Sequence, residues 1–155
     1  MEFFNIKHIL KGHSGSVDSV VALADGKRLL TGATQNDGSI KLWDIKTGTC
    51  LKTIKTDQTI MTAAIVNASG TRAVIGGHEG KLTHLDVDTS KRLANLKGHS
   101  AGVVYSVQVT ADQKFAVSGA EDNTIKIWSL ATAREALKAD FFRTRRLATG
   151  NKSFY

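Results

Sequence analysis

Short runs in which apolar and polar residues alternate, each closed by a turn rich in Asp, Asn and Gly, fill most of the chain. Alternation with period two marks a strand with one buried face, and turn residues that tolerate positive φ mark hairpins between such strands. The pattern predicts strands over Val17–Leu23, Arg28–Gly32, Ser39–Asp44 and Cys50–Lys55, joined by turns at Ala24–Lys27, Gln35–Gly38 and Lys46–Gly48. The same order recurs over Ile60–Val66, Arg72–Gly76, Lys81–Asp86 and Arg92–Lys97, and again over Val103–Val109, Phe115–Gly119 and Thr124–Ser129. By register, Arg134–Lys138 is the fourth strand of the last set, although Ala133, Leu137 and Phe141 would also share one face of a helix. Phe3–Leu10 reads as one further strand ahead of the first set.

Two of these sets are near copies. One runs from Gly12-His13 to Ser39–Asp44 (SIKLWD) and the other from Gly98-His99 to Thr124–Ser129 (TIKIWS), with Trp43 and Trp128 separated by 85 positions. That distance is twice a unit of about 40–45 residues, and the middle set fills the gap. A single small sheet cannot bury both of its faces, so such units must stack on their neighbours.

These residues resemble the WD40 repeats of β-propellers, and the resemblance runs from Phe3 to about Ala139. It implies an all-β fold of three four-stranded antiparallel blades plus an N-terminal strand, forming a partial or oligomer-completed propeller. The chain then divides into an N-terminal outer strand (1–11), repeats at 12–55, 56–97 and 98–139, and a basic C-terminal tail (140–155). The resemblance also implies a hydrogen-bonded set within each blade: His13, Thr31, Asp37 and Trp43 in the first, His99, Ser118, Asp122 and Trp128 in the third. A buried Trp N–H and a buried imidazole each need a partner, which gives the set a physical reason. The middle repeat departs from it, with Thr56-Asp57, Ile75, Glu79 and Leu85 at the corresponding positions. It is expected to hold by apolar packing alone and to be the least rigid blade.

In this family the functional surface is the narrow end of the propeller, reached by the starts of the inner strands and the positions before the tight-turn acid. By register these are Ser16, Asp18 and Asn36, then Thr59, Met61 and His78, then Val103, Tyr105 and Glu121. Met61 and Tyr105 are the best candidate anchors, since Met adapts to irregular surfaces and Tyr joins apolar area to a polar tip. Family propellers close with about seven blades, within a range of four to eight. Three blades leave two open ends, so a second copy, a partner propeller segment or the rest of a longer propeller would complete the ring.

Composition narrows the function. No nucleotide loop, zinc pattern or nucleophile elbow is present, and His78 and His84 lack the companions a metal site needs. The chain therefore reads as a non-enzymatic protein–protein interaction scaffold with no cofactor and no metal. The single cysteine, Cys50, allows no internal disulfide, and no apolar run is long enough for a membrane helix. A cytoplasmic location is expected, with the nucleus as the alternative. Of the net charge of +7, the tail contributes +3, through Arg143, Arg145, Arg146 and Lys152 against Asp140. Phe141, Phe142, Phe154 and Tyr155 lie among these cations, a mixture that suits RNA. RNA binding is the alternative function; docking onto an open blade and a frayed end remain open for the same segment.

Overall fold

The computed structural model describes residues 5–130 apart from 35, 36, 58, 66, 68 and 101. Three antiparallel sheets follow one another along the chain. The first blade is β1 (Val17–Ala22), β2 (Arg28–Ala33), β3 (Ser39–Asp44) and β4 (Cys50–Lys55). The second is β5 (Ile60–Ile65), β6 (Arg72–Gly77), β7 (Leu82–Asp86) and β8 (Lys91–Leu96). The third is β9 (Val104–Val109), β10 (Phe115–Ala120) and β11 (Ile125–Ser129). In each sheet every strand pairs with its neighbour in sequence, so the blades are meanders closed by tight turns.

The fourth strand expected at Arg134–Lys138 lies outside the described residues. Phe3–Leu10 differs from expectation: its described part, residues 5–10, enters no sheet. A strand of that kind needs a blade edge to pair with, and among the described residues it pairs with none. The segment instead runs along the first blade, with His8 Nε2 at 3.0 Å from the Lys46 carbonyl.

Alternation along the strands splits each blade into two faces, and the blades stack through them. Leu30, Ile40, Leu42 and Ile54 of the first blade pack on Ile60, Ala63, Ala73, Ile75, Leu85 and Val87 of the second. On the other side of the second blade, Val74 and Leu82 meet Val104, Val107 and Ala116 of the third, with Trp128 packed against them. The inner strands β1, β5 and β9 thus lie side by side, and a bulge follows the first residue of each. Polar ties cross the first joint as well: Arg28 Nη2 donates to the Ser69 carbonyl at 3.0 Å, and Lys52 Nζ reaches the carbonyls of Val87 and Asp88.

Candidate functional site

The two polar sets predicted for the first and third blades are assembled alike. In the third, the indole Nε1–H of Trp128 donates to Ser118 Oγ at 2.8 Å, and His99 Nε2 lies 2.8 Å from the same oxygen. His99 Nδ1 then meets the Asp122 carboxylate at 2.9 Å. In the first, Trp43 Nε1–H donates to Thr31 Oγ1 at 2.8 Å, His13 Nε2 lies 2.6 Å from that oxygen, and His13 Nδ1 is 3.0 Å from Asp37. One proton on Nδ1 satisfies every member: indole to hydroxyl, hydroxyl to Nε2, Nδ1–H to carboxylate. Strand pairing sets the spacing, since β2 and β3, like β10 and β11, carry the hydroxyl and the indole on one face. The His and Trp rings stand tilted at 6.2 Å in the first blade and 5.8 Å in the third. Gly12 and Gly98 lie against the indoles; a Cβ there would come within 3.3 and 2.7 Å of the ring edge.

Each carboxylate has more partners than the family pattern supplies. Burial opposes the charge on Asp37, but hydrogen bonds from Ser39 Oγ, the Ser14 N–H and His13 outweigh it and hold the carboxyl well below its usual range. Asp122 is held low in the same direction, first by the Thr124 hydroxyl and then, against desolvation, by His99 and the Ser100 N–H. Ser39 and Thr124 are thus fifth members that the sequence reading missed. The signal was present, since both are hydroxyl residues at equivalent positions, the starts of SIKLWD and TIKIWS.

Among its described residues the middle blade has no such set. Ile75 and Leu85 fill the hydroxyl and indole positions and are buried in the apolar joint with the first blade. Glu79 turns outward to an ion pair with Lys81, and Asp57 pairs with Arg92 at 2.9 Å. His84 is the unexpected residue. It is buried on β7, its Nε2 has no hydrogen-bond partner among the described residues, and burial pushes its pKa down.

The residues predicted for the narrow end occupy equivalent places in the three blades. The registers set the start of each inner strand beside the end of its neighbour: Val17 by Ala33, Ile60 by Gly77, Val104 by Ala120. Ser16, Asp18, His78, Tyr105 and Glu121 are exposed there, and Thr59 and Val103 are half-buried. The Glu121 carboxylate is engaged by the Val103 N–H at 3.0 Å, so it shapes the rim as well as charging it. Asn36 lies outside the described residues; Met61 is placed by its backbone on β5. Beside this rim the inner strands line an open groove of about 760 Å³, bordered by Asp18, Val20, Thr62, Gln108 and Gln113. Arg143, Arg145, Arg146 and Lys152 lie outside the described residues. Among the described residues no group of three or more His, Cys, Asp or Glu could hold a metal ion, and no helix is long and apolar enough to cross a membrane.

Comparison with known proteins agrees with this geometry. The family model described as "WD domain, G-beta repeat" matches residues 4–44 and 90–129. The "U3 small nucleolar RNA-associated protein 12" of Saccharomyces cerevisiae is 29% identical over 119 residues, which are 77% of this chain and 12% of that protein. The "DENN domain and WD repeat-containing protein SCD1" of Arabidopsis thaliana is 30% identical over 123 residues, 79% of this chain and 10% of that protein. Among solved structures, "Structure of U3-55K" superposes with a TM-score of 0.72 at 20% identity, over 83% of this chain and 39% of the other. The chain thus spans about a tenth of those two relatives and shares the fold of the solved domain.

Proposed function

The chain belongs to the WD40-repeat family, and on that premise we propose that it acts as a non-enzymatic protein-interaction scaffold, a subunit or piece of a larger complex. The observation that carries this reading is the rim. Asp18 and Tyr105 on the inner strands, with Ser16, Thr59, His78, Val103 and Glu121 flanking strand ends, would form this rim, and ladders and blade stacking support those strands. Tyr105 is 58% exposed on a rigid strand, which is how an anchor for a partner is presented. Asp18 and Glu121 give the rim local negative charge on a chain that is otherwise basic, and so set charge preference. Rigidity is the mechanism: little conformational entropy is lost when the partner binds.

The test is affinity capture of the tagged chain from its native cells, with the bound proteins quantified for wild type and for Tyr105→Ala. Loss of a specific partner at an unchanged melting temperature supports the rim. Equal recovery with both chains removes it.

RNA binding through the tail is the second reading. It is supported by the net +3 of residues 140–155 and by one relative whose name associates it with a small nucleolar RNA. It would place the chain in the nucleus rather than the cytoplasm. Each phosphate contact to single-stranded RNA contributes about 0.7 to the slope of log affinity against log salt. Arg145→Ala with Arg146→Ala should therefore flatten that slope by about 1.4; a salt-independent interaction would count against it.

A further inference from the structure

The blade joints are built on a knob and a seat. Gly32 on β2 leaves room for Ile60 of the next blade, and a Cβ at Gly32 would collide with that side chain. Gly76 on β6 does the same for Val104, whose Cγ1 would lie 2.8 Å from a Cβ. Ile60 and Val104 are each the first residue of an inner strand, ahead of its bulge. Val17 is the first residue of β1 ahead of the same bulge, and Gly119 holds the equivalent place on β10. Neither is used: a Cβ at Gly119 would meet nothing within 4 Å among the described residues, and Val17 is 48% exposed where Ile60 and Val104 are fully buried.

The faces around them are also matching halves. Ile40 and Leu42, 0% and 7% exposed under the second blade, correspond to Ile125 and Ile127 of the third, which are 78% and 70% exposed. On the opposite type of face, Val107 is fully buried against the second blade while its counterpart Val20 is 66% exposed. Among the described residues, the third blade thus carries an unfilled seat within an open apolar face, and the first carries the unseated knob. The chain itself forms this joint twice.

We propose that a second copy of this chain completes the joint, with Val17 of each copy seated at Gly119 of the other. Two copies joined head to tail would give six blades, within the four to eight that propellers close with. The repeated joint removes both open faces, as a closed assembly requires. Burial of Val17, Val20, Ile125 and Ile127 supplies the driving force, and the polar sets of the first and third blades remain inside their own blades.

Sedimentation velocity of the full chain over a wide concentration range tests this. The expected mass is twice that of the chain. Gly119→Leu fills the seat where a Cβ meets nothing within 4 Å among the described residues, and should weaken association at least about 100-fold with an unchanged circular dichroism spectrum. Val17→Asp acts at the other end of the joint and should do the same. Mixing the two variants restores one intact joint per pair, so the mixture should associate more tightly than either variant alone. A monomer at all concentrations overturns the proposal, whether residues 131–155 or another blade covers Gly119. A dimer indifferent to both variants, a mixture that gains nothing, or open-ended polymers would overturn it too.

Discussion

Over their first three strands the second and third blades share the same order, the same registers and the same bulge, yet their interiors are held differently. The third relies on a chain of hydrogen bonds from Trp128 through Ser118 and His99 to Asp122. The second replaces hydroxyl and indole by Ile75 and Leu85 and is carried by apolar packing. The blade is therefore specified by hairpins and stacking, and the polar set is one of two ways to fill the same space. The two solutions differ in how they fail. A polar set is costly once any member is lost, because the remaining buried groups stay unpaired. An apolar joint degrades by volume.

The comparison can be broken most severely at Ser118. Ser118→Val removes the partner of both the indole N–H and the imidazole, and should cost roughly 3 kcal/mol in urea unfolding. Acid is a second way to strike the polar blades. Asp37 and Asp122 are held below the ordinary carboxylate range, so on acidification the unfolded chain binds protons first. The stability they contribute is present above about pH 4 and is lost progressively below it. Asp122→Asn should flatten that acid limb of a melting-temperature profile; an unchanged limb would mean Asp122 does not govern it. Trp128→Phe keeps a ring but drops the donor, at an expected 1–3 kcal/mol, roughly, and an unchanged melting point would remove the polar set from the account.

The apolar blade is sharpened by its exception. His84→Leu replaces an imidazole with an unpartnered Nε2 and should stabilise the chain by about 1 kcal/mol. Burial lowers the His84 pKa, so its cost to stability grows as pH falls below the ordinary histidine value of about 6.5. The gain from His84→Leu should accordingly be larger at pH 5 than at pH 7. The smallest effect is expected at Gln113, which sits at φ 61° where the first blade uses Gly26 at φ 63°. Gln113→Gly should gain a few tenths to about 1 kcal/mol, read as a small rise in melting temperature.

Much of this fold is legible in the sequence, because its rules are local. Strand limits follow from alternation and turn residues, and the eleven strands among the described residues begin and end within one residue of the expected runs. The polar sets are legible because two repeats place a His, a hydroxyl residue, an Asp and a Trp in the same order at closely similar spacing. What escapes is what depends on a neighbour. Phe3–Leu10 has the pattern of a strand, but pattern does not supply the blade to pair with. Asp44 and Asp86 close their strands in the alternating pattern, and the fold shows each capping a turn through the N–H and hydroxyl of Thr47 and Thr89 respectively. His84 reads as a residue after a turn, and only stacking shows it to be buried. At the rim, register names candidate positions, whereas the engagement of Glu121 by the Val103 N–H comes from the fold.

The knob-and-seat joint also bears on how such a chain changes over generations. Val17, Ile60 and Val104 recur at intervals of 43 and 44 residues, and each joint has the same form whichever interior its blade uses. A deletion of Ile60 through Val103 would bring Val104 to the seat at Gly32, and a duplication of that stretch would add a blade by the same contact. The heritable module therefore runs from knob to knob, cutting across the repeated stretch from the Gly-His pair to the Trp, and blade number can drift by duplication or excision without inventing a new interface.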